Sequence, residues 1–187
     1  MKNLFIMMLM LTAGLSMNAQ DIELTESGAY EKKVVVVVDS AKAIVLFERA
    51  MIALSDWTGP DGKAKAGIDY QEKETGTVIY KGFFSLGFKN VFLGGGWNRY
   101  ADFVLKVRCK DGKAQVTVTV PQITAVYNRN GMKSSASTAQ WVQAVKDAKG
   151  KKHERGVALL NDLTSTVDGL ASAMVERLKK GNDDDDF

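Results

Sequence analysis

Asp111-Gly112 is a two-residue turn signal set between two alternating runs, and closing the chain there dictates where the flanking residues must lie. A tight hairpin turn needs positive φ, which glycine adopts without steric cost. With the turn closed, Cys109 faces Ala114, Val107 faces Val116, Leu105 faces Val118 and Phe103 faces Val120, all apolar pairs. The alternate positions pair Arg108 with Gln115, Lys106 with Thr117 and Val104 with Thr119, a mostly polar face. A slip of one residue would carry every apolar side chain to the wet side, so the register is well specified. Tyr100 to Val120 therefore predicts half of an antiparallel sheet with one covered face.

The neighbouring segments supply the rest of that sheet and its cover. Val34–Val38 is a β-branched run that reads as a buried strand. Asp39-Ser40 stops it and offers an N-cap oxygen to a helix over Ala41–Trp57, with Ile44, Phe47, Ala50, Met51 and Leu54 on one stripe. Thr58-Gly59-Pro60-Asp61-Gly62 ends that helix. Gly67–Phe84 predicts a second hairpin turning at Glu74-Thr75-Gly76, and Ser85–Asn98 reads as a glycine-rich apolar loop. Pro121 interrupts the alternation of the main hairpin, and the apolar phase resumes at Ile123, Ala125 and Tyr127, so a bulge or an edge position belongs there. Asn128–Lys152 reads as a polar excursion holding one short helix, marked by Trp141, Val142 and Val145. Glu154–Lys179 is a second long amphipathic helix, with Leu160, Leu163, Val167, Leu170, Met174 and Leu178 in line. Strand, helix, four strands, helix is an α+β order. An antiparallel sheet with two helices packed on one face satisfies both periodicities.

The ends of the chain read differently from its middle. Lys2, the apolar stretch Leu4–Leu15 and the polar exit Ser16–Ala19 form a secretory signal, residues 1–19, too short for a stable membrane span. No cysteine follows it to accept a lipid. The expected location is the periplasm or cell envelope, or outside the cell, without a lipid anchor. Residues 20–32 read as a mobile leader, 33–180 as a single domain and 181–187, with Asp183–Asp186, as an acidic tail. At 187 residues, 45% of them hydrophobic, such a domain can bury a core without metals or disulfides. The single cysteine, Cys109, falls on the covered face of the hairpin and reads as a buried thiol.

The order of elements and several of their residues resemble a family of exported proteins of Bacteroidetes-type bacteria, a domain of unknown function with a TBP-like fold. The likeness spans roughly residues 33 to 127. It is carried by the Val34–Val38 strand with its helix, by the run from Ile68 to Gly82 and by the Lys110–Lys113 turn. The Ala19-Gln20 junction is also similar. Gly94-Gly95-Gly96 and the segment after Tyr127 depart from the pattern. The resemblance implies a β-α-β4-α fold and an exported location, and it carries no activity.

Fold does not settle function, so chemistry has to be sought among the residues themselves. A formal net charge of +3 is a weak excess for a nucleic-acid binder, and Asp102 and uncharged polar residues interrupt the cations of the open sheet face. The one histidine, His153, sits in the basic run Lys149–Arg155 and reads as a solvated residue at a helix start. No cofactor or metal motif is present: Gly94-Gly95-Gly96 lacks the lysine and hydroxyl of a phosphate loop, and Asp183–Asp186 lacks calcium-loop spacing. Asp69 and Glu72 could serve a hydrolase only if an apolar pocket raised one pKa; otherwise they are solvated hairpin charges. The remaining feature is aromatic. Phe88, Phe92, Trp97 and Tyr100 crowd the glycine-rich loop and Trp141 lies in the other excursion. These rings either cap one end of the core or contact a partner. The expectation is a non-enzymatic binding or adaptor module for an unknown protein or a small apolar ligand, monomeric or weakly self-associating. The alternatives are a self-associating structural component, or an apolar-ligand carrier with a helix-grip fold.

Overall fold

The computed structural model describes residues 22–55, 65–91 and 95–180. Its elements are β1 (Tyr30–Val37), α1 (Ala43–Ser55), β2 (Lys65–Glu72), β3 (Thr77–Val91), β4 (Gly95–Lys110), β5 (Lys113–Tyr127), β6 (Lys133–Ser137), α2 (Thr138–Asp147) and α3 (Lys151–Lys180). The strands form one antiparallel sheet of six, in the order β1-β5-β4-β3-β2, with β6 also on β5. Signal segment 1–19, the α1 stop at Thr58–Gly62 and acidic tail 181–187 lie outside the described residues.

The central hairpin closes in the expected register. Cys109 pairs with Ala114, Val107 with Val116 and Leu105 with Val118. Gly112, at φ 72°, supplies the left-handed turn position. Beyond Val104–Thr119 the register shifts by one before Asp102–Gln122, so Phe103 has no single opposite partner. The extra β5 residue falls at Pro121, which has no N–H to give to the ladder. That bulge returns Ile123 to the covered face, where it is fully buried.

One side of this sheet is closed by helices. All six stripe residues of α3, from Leu160 to Leu178, are buried, as are Phe47, Ala50 and Leu54 of α1. Leu46 and Ala53 join the α1 face, while Ile44 and Met51 stay half-buried at its margin. The two helices are tied near their ends: Arg49 Nη1 donates to the Leu178 carbonyl at 3.2 Å and Arg177 Nη1 to the Ala53 carbonyl at 2.6 Å. Cys109 is buried in the core, and burial pushes its thiol pKa up to about 11.

Several sequence expectations change once tertiary contacts are in view. The valine run is an edge strand covered on one face only: Val36 is buried, whereas Val35 and Val37 are 59% and 65% exposed. Of the residues read as a mobile leader, 22–32 fold onto the domain, with Ile22 and Ala29 buried and Leu24 bridging Tyr30. The cap of α1 comes from the hairpin tip and not from Asp39-Ser40: the Ala43 N–H donates to Asp111 Oδ1 at 2.8 Å, and the Gly112 N–H to the Ala41 carbonyl at 2.8 Å. Of the stretch read as a loop, Ser85–Asn98, residues 85–91 and 95–98 are strand, because β3 and β4 stay paired as far as Val91–Gly95. The polar excursion after Tyr127 contains strand β6, which pairs with β5 from Gln122–Ser137 to Val126–Lys133. Ser137 then caps α2 through a reciprocal capping box with Gln140.

Candidate functional site

The outer ends of β3 and β4, together with α2 and the start of α3, enclose an open cleft of about 460 Å³. Each wall follows from local periodicity. On α2, Trp141, Ala144 and Val145 are spaced i, i+3, i+4, one helical face, and the C-cap residue Ala148 continues that row at i+7. On α3, Lys152, Arg155, Gly156 and Leu159 repeat that spacing. The helices meet closely at Gly156, where an added Cβ would lie 2.6 Å from Val145 Cγ2. His153 secures the corner: its Nδ1 lies 2.9 Å from the Val145 carbonyl, which can only accept, so Nδ1 carries the proton. The expectation of a freely solvated histidine is therefore corrected, since a short inter-helix turn brings the ring onto the end of α2.

The sheet contributes Lys89 and Arg99 to the cleft. Arg99 pairs with Ala125 on one side and faces the Ser85–Phe88 bulge on the other. Its Nε is buried without a hydrogen-bond partner among the described residues, and so is the indole Nε1 of Trp141. Burial lowers the Arg99 pKa, and the charge of Asp162, beyond ion-pair reach, offsets this only in part. Among the described residues, Lys89, Arg99, Lys152 and Arg155 make no ion pair and no carboxylate lines the cleft. Its chemical character is cationic at the rim and aromatic to aliphatic on the walls.

The five aromatic residues singled out from the sequence do not form one cluster. Trp141 lines the cleft. Trp97 stands in β4 beside Tyr127, ring centroids 5.2 Å apart. Tyr100, one residue out of phase with Arg99, packs edge-on against Phe83 at 5.5 Å. Successive strand residues point to opposite faces, which separates Tyr100 from the other two. Phe92 lies outside the described residues, as does the side chain of Phe88, whose backbone pairs with Asn98. Gly95 and Gly96, read as part of a glycine-rich loop, are buried strand positions, and a Cβ on Gly95 would overlap the Tyr127 hydroxyl.

The paired-carboxylate idea finds no pocket. Asp69 is the extra residue of a bulge in β2, exposed and paired with Lys81 at 2.9 Å. Glu72 accepts from Thr75 Oγ1 at 2.6 Å, and that bond holds its carboxyl below the usual range, the opposite of a poised general acid. Among the described residues no three His, Cys, Asp or Glu side chains gather to hold a metal ion, and no helix is long and apolar enough to cross a membrane. A second, smaller groove of about 240 Å³ on the other side of the molecule holds Val35, Arg108 and Lys113. It has no unpartnered buried donor.

Lys89, Arg99, Lys152 and Arg155 were missed as site residues because each reads alone as an ordinary surface cation. One signal was available. Lys152 and Arg155 share the helical face of Leu159, so that stripe begins with two charges where an apolar run would be expected.

Comparison with known proteins supports the architecture. The DUF4468 family protein from Bacteroides ovatus ATCC 8483 is 16% identical with a TM-score of 0.58, over 84% of this chain and 90% of that one. A TBP-like protein from Parabacteroides distasonis ATCC 8503 is 10% identical with a TM-score of 0.61, over 85% and 97%. Identities this low speak for the fold alone. No functionally curated protein matches the sequence. Residues 32–124 match the model of the family described as "Domain of unknown function (DUF4468) with TBP-like fold", a stretch that supplies Lys89 and Arg99 while Trp141, Lys152 and Arg155 lie beyond it. The chain carries a DUF4468 domain with TBP-like fold over residues 32–124.

Proposed function

We propose that this protein is a non-enzymatic binding module, exported to the cell envelope, that holds another molecule in the cleft between α2, α3 and the ends of β3 and β4. The observation that carries this reading is that Trp141 and Arg99, each with a buried side-chain nitrogen that lacks a hydrogen-bond partner, line one cavity. A buried donor without an acceptor costs about 1–3 kcal/mol, and such a cost persists where binding requires it. The cleft volume, about 460 Å³, falls within the range of small-molecule sites. The absence of a catalytic role is part of the proposal, supported by the solvent-facing, hydrogen-bonded and ion-paired state of the candidate carboxylates.

Native mass spectrometry of the mature protein, purified gently from its own host and set against its denatured mass, tests the reading. An adduct lost from the Trp141→Ala variant is the expected result. A bare monomer in both forms would count against the cleft.

A second reading, a self-associating component, draws on a different observation. Val35 and Val37 are exposed on β1, whose outer edge has no strand partner among the described residues beyond the Leu24 bridge to Tyr30. Exposed edge strands of this kind are templates for pairing between copies.

A further inference from the structure

We propose that the cleft selects a small amphipathic organic anion, whose apolar body lies on Trp141 and the aliphatic wall while its carboxylate or phosphate meets Arg99, Lys89, Lys152 and Arg155. This rests on the reading of the cleft as a binding site and adds the class of molecule bound.

Three features point the same way. First, four cations line one cavity with no acid among its described lining residues and no ion pair, so they repel one another, and the charge of Asp162 offsets Arg99 only in part. Second, Arg99 is half-buried in β4, and its guanidinium is desolvated without an ion-pair partner. A guanidinium presents a planar fork of donors suited to a carboxylate or phosphate. Third, the basic residues lie at the wrong end of their helix. Lys151 and Lys152 occupy the first turn of α3 and Arg155 follows, where the helix dipole favours negative charge; Glu154 is the one acid of that turn. An anion seated between Arg99 and the start of α3 would relieve all three at once.

The remaining wall sets the rest of the ligand. Inorganic phosphate would satisfy the cations and leave the indole and the Ala144, Ala148 and Leu159 surface wet. A neutral apolar molecule would cover that surface and desolvate the cations without compensation. A nucleic acid needs a long track of cations, whereas these four are confined to one small cavity. The chemistry that fits both halves is a single acidic group on a ring or short chain.

Two dyes with the same ring system test this directly: 1-anilinonaphthalene-8-sulfonate, which is anionic, and N-phenyl-1-naphthylamine, which lacks the sulfonate. The full mature chain should bind the anionic dye with one-to-one stoichiometry and the neutral dye at least about tenfold more weakly, as expected for loss of charge-assisted hydrogen bonds. Arg99→Gln should weaken the anionic dye by a similar factor. Because Arg99 lies partly within the fold, the exposed pair Lys152→Gln and Arg155→Gln serves as a second variant, with thermal melts confirming that both fold. Equal binding of the two dyes, lost in Trp141→Ala, would overturn the anion assignment and leave the cleft reading standing. No binding of either dye would overturn both. Anionic dye binding unchanged in Arg99→Gln and in the double variant would also overturn the proposal, because the dye would then sit elsewhere.

Discussion

At the scale of single residues, the two α3 glycines show how context decides the sign of one substitution. Alanine within a helix is favoured over glycine by about 1 kcal/mol. Gly169 is exposed and a Cβ there would meet nothing within 4 Å, so Gly169→Ala should raise stability by about 0.5–1 kcal/mol. At Gly156 the new Cβ would stand 2.6, 3.0 and 3.2 Å from the Cγ2, Cγ1 and Cβ atoms of Val145. Those atoms sit on a short side chain that cannot swing away, and overpacking of this kind costs about 1–3 kcal/mol. Gly156→Ala should therefore destabilise, and urea denaturation of the two variants should give shifts of opposite sign. Titration behaviour is likewise local in origin. Burial raises the Cys109 thiol from 9.0 to about 11; burial and the charge of Asp168 raise the Tyr30 phenol from 10.0 to about 12. In each case the unfolded chain loses its proton first as pH rises, so this stability contribution is complete below pH 9 and is lost between 9 and 12. The loss from Cys109 alone should be on the order of 2 kcal/mol. Cys109→Ala should flatten the pH 9 to 11 part of that fall in chemical denaturation, whatever its stability at neutral pH.

At the scale of elements, the hairpin tip does more than turn the chain. Asp111 accepts from the first helical N–H of α1, and the Gly112 backbone bonds both Val38 and Ala41. The turn thus joins the β1–α1 corner to the sheet, and Gly76, at φ 61°, lets the β2–β3 turn press against the Cys109 carbonyl beside it. Asp111→Ala keeps the turn glycine and removes the cap, and should cost about 1 kcal/mol in denaturant melts. Asn at the same position should recover most of that loss, because its amide oxygen can still accept. The strands and long helix were legible because their periodicity is carried by adjacent residues: Cys109, Val107 and Leu105 alternate, and Leu160 to Leu178 recur along one face. β6 was not legible. Lys133–Ser137 is five mostly polar residues held by backbone pairing to β5, with no apolar alternation to announce it. Nor was the continuation of β3 and β4 through a glycine-rich stretch, where glycine signals a loop unless a neighbour such as Tyr127 needs the space.

At the scale of the whole molecule, helices cover one face of the sheet and leave the other to solvent. That asymmetry bears on the self-association reading, because the exposed side chains of Val35 and Val37 accompany an open backbone edge. If copies pair along β1, sedimentation velocity should detect dimers that dissociate when both valines are replaced by lysine. A wild-type chain that stays monomeric at high micromolar concentration would remove that reading and leave the cleft untouched.

The central register, the helical faces, the burial of Cys109 and the class of fold follow from the order of residues alone, because periods of 2 and 3.6 are properties of neighbouring residues. Tertiary structure alone decided the cleft. Lys89, Arg99, Trp141, Lys152 and Arg155 come from four elements and meet only because a bulge in β3, a capped α2 and a close crossing at Gly156 bring them together. The lack of a carboxylate among the described lining residues and the two donors without acceptors are facts about packing, and a linear pattern of residues does not record them.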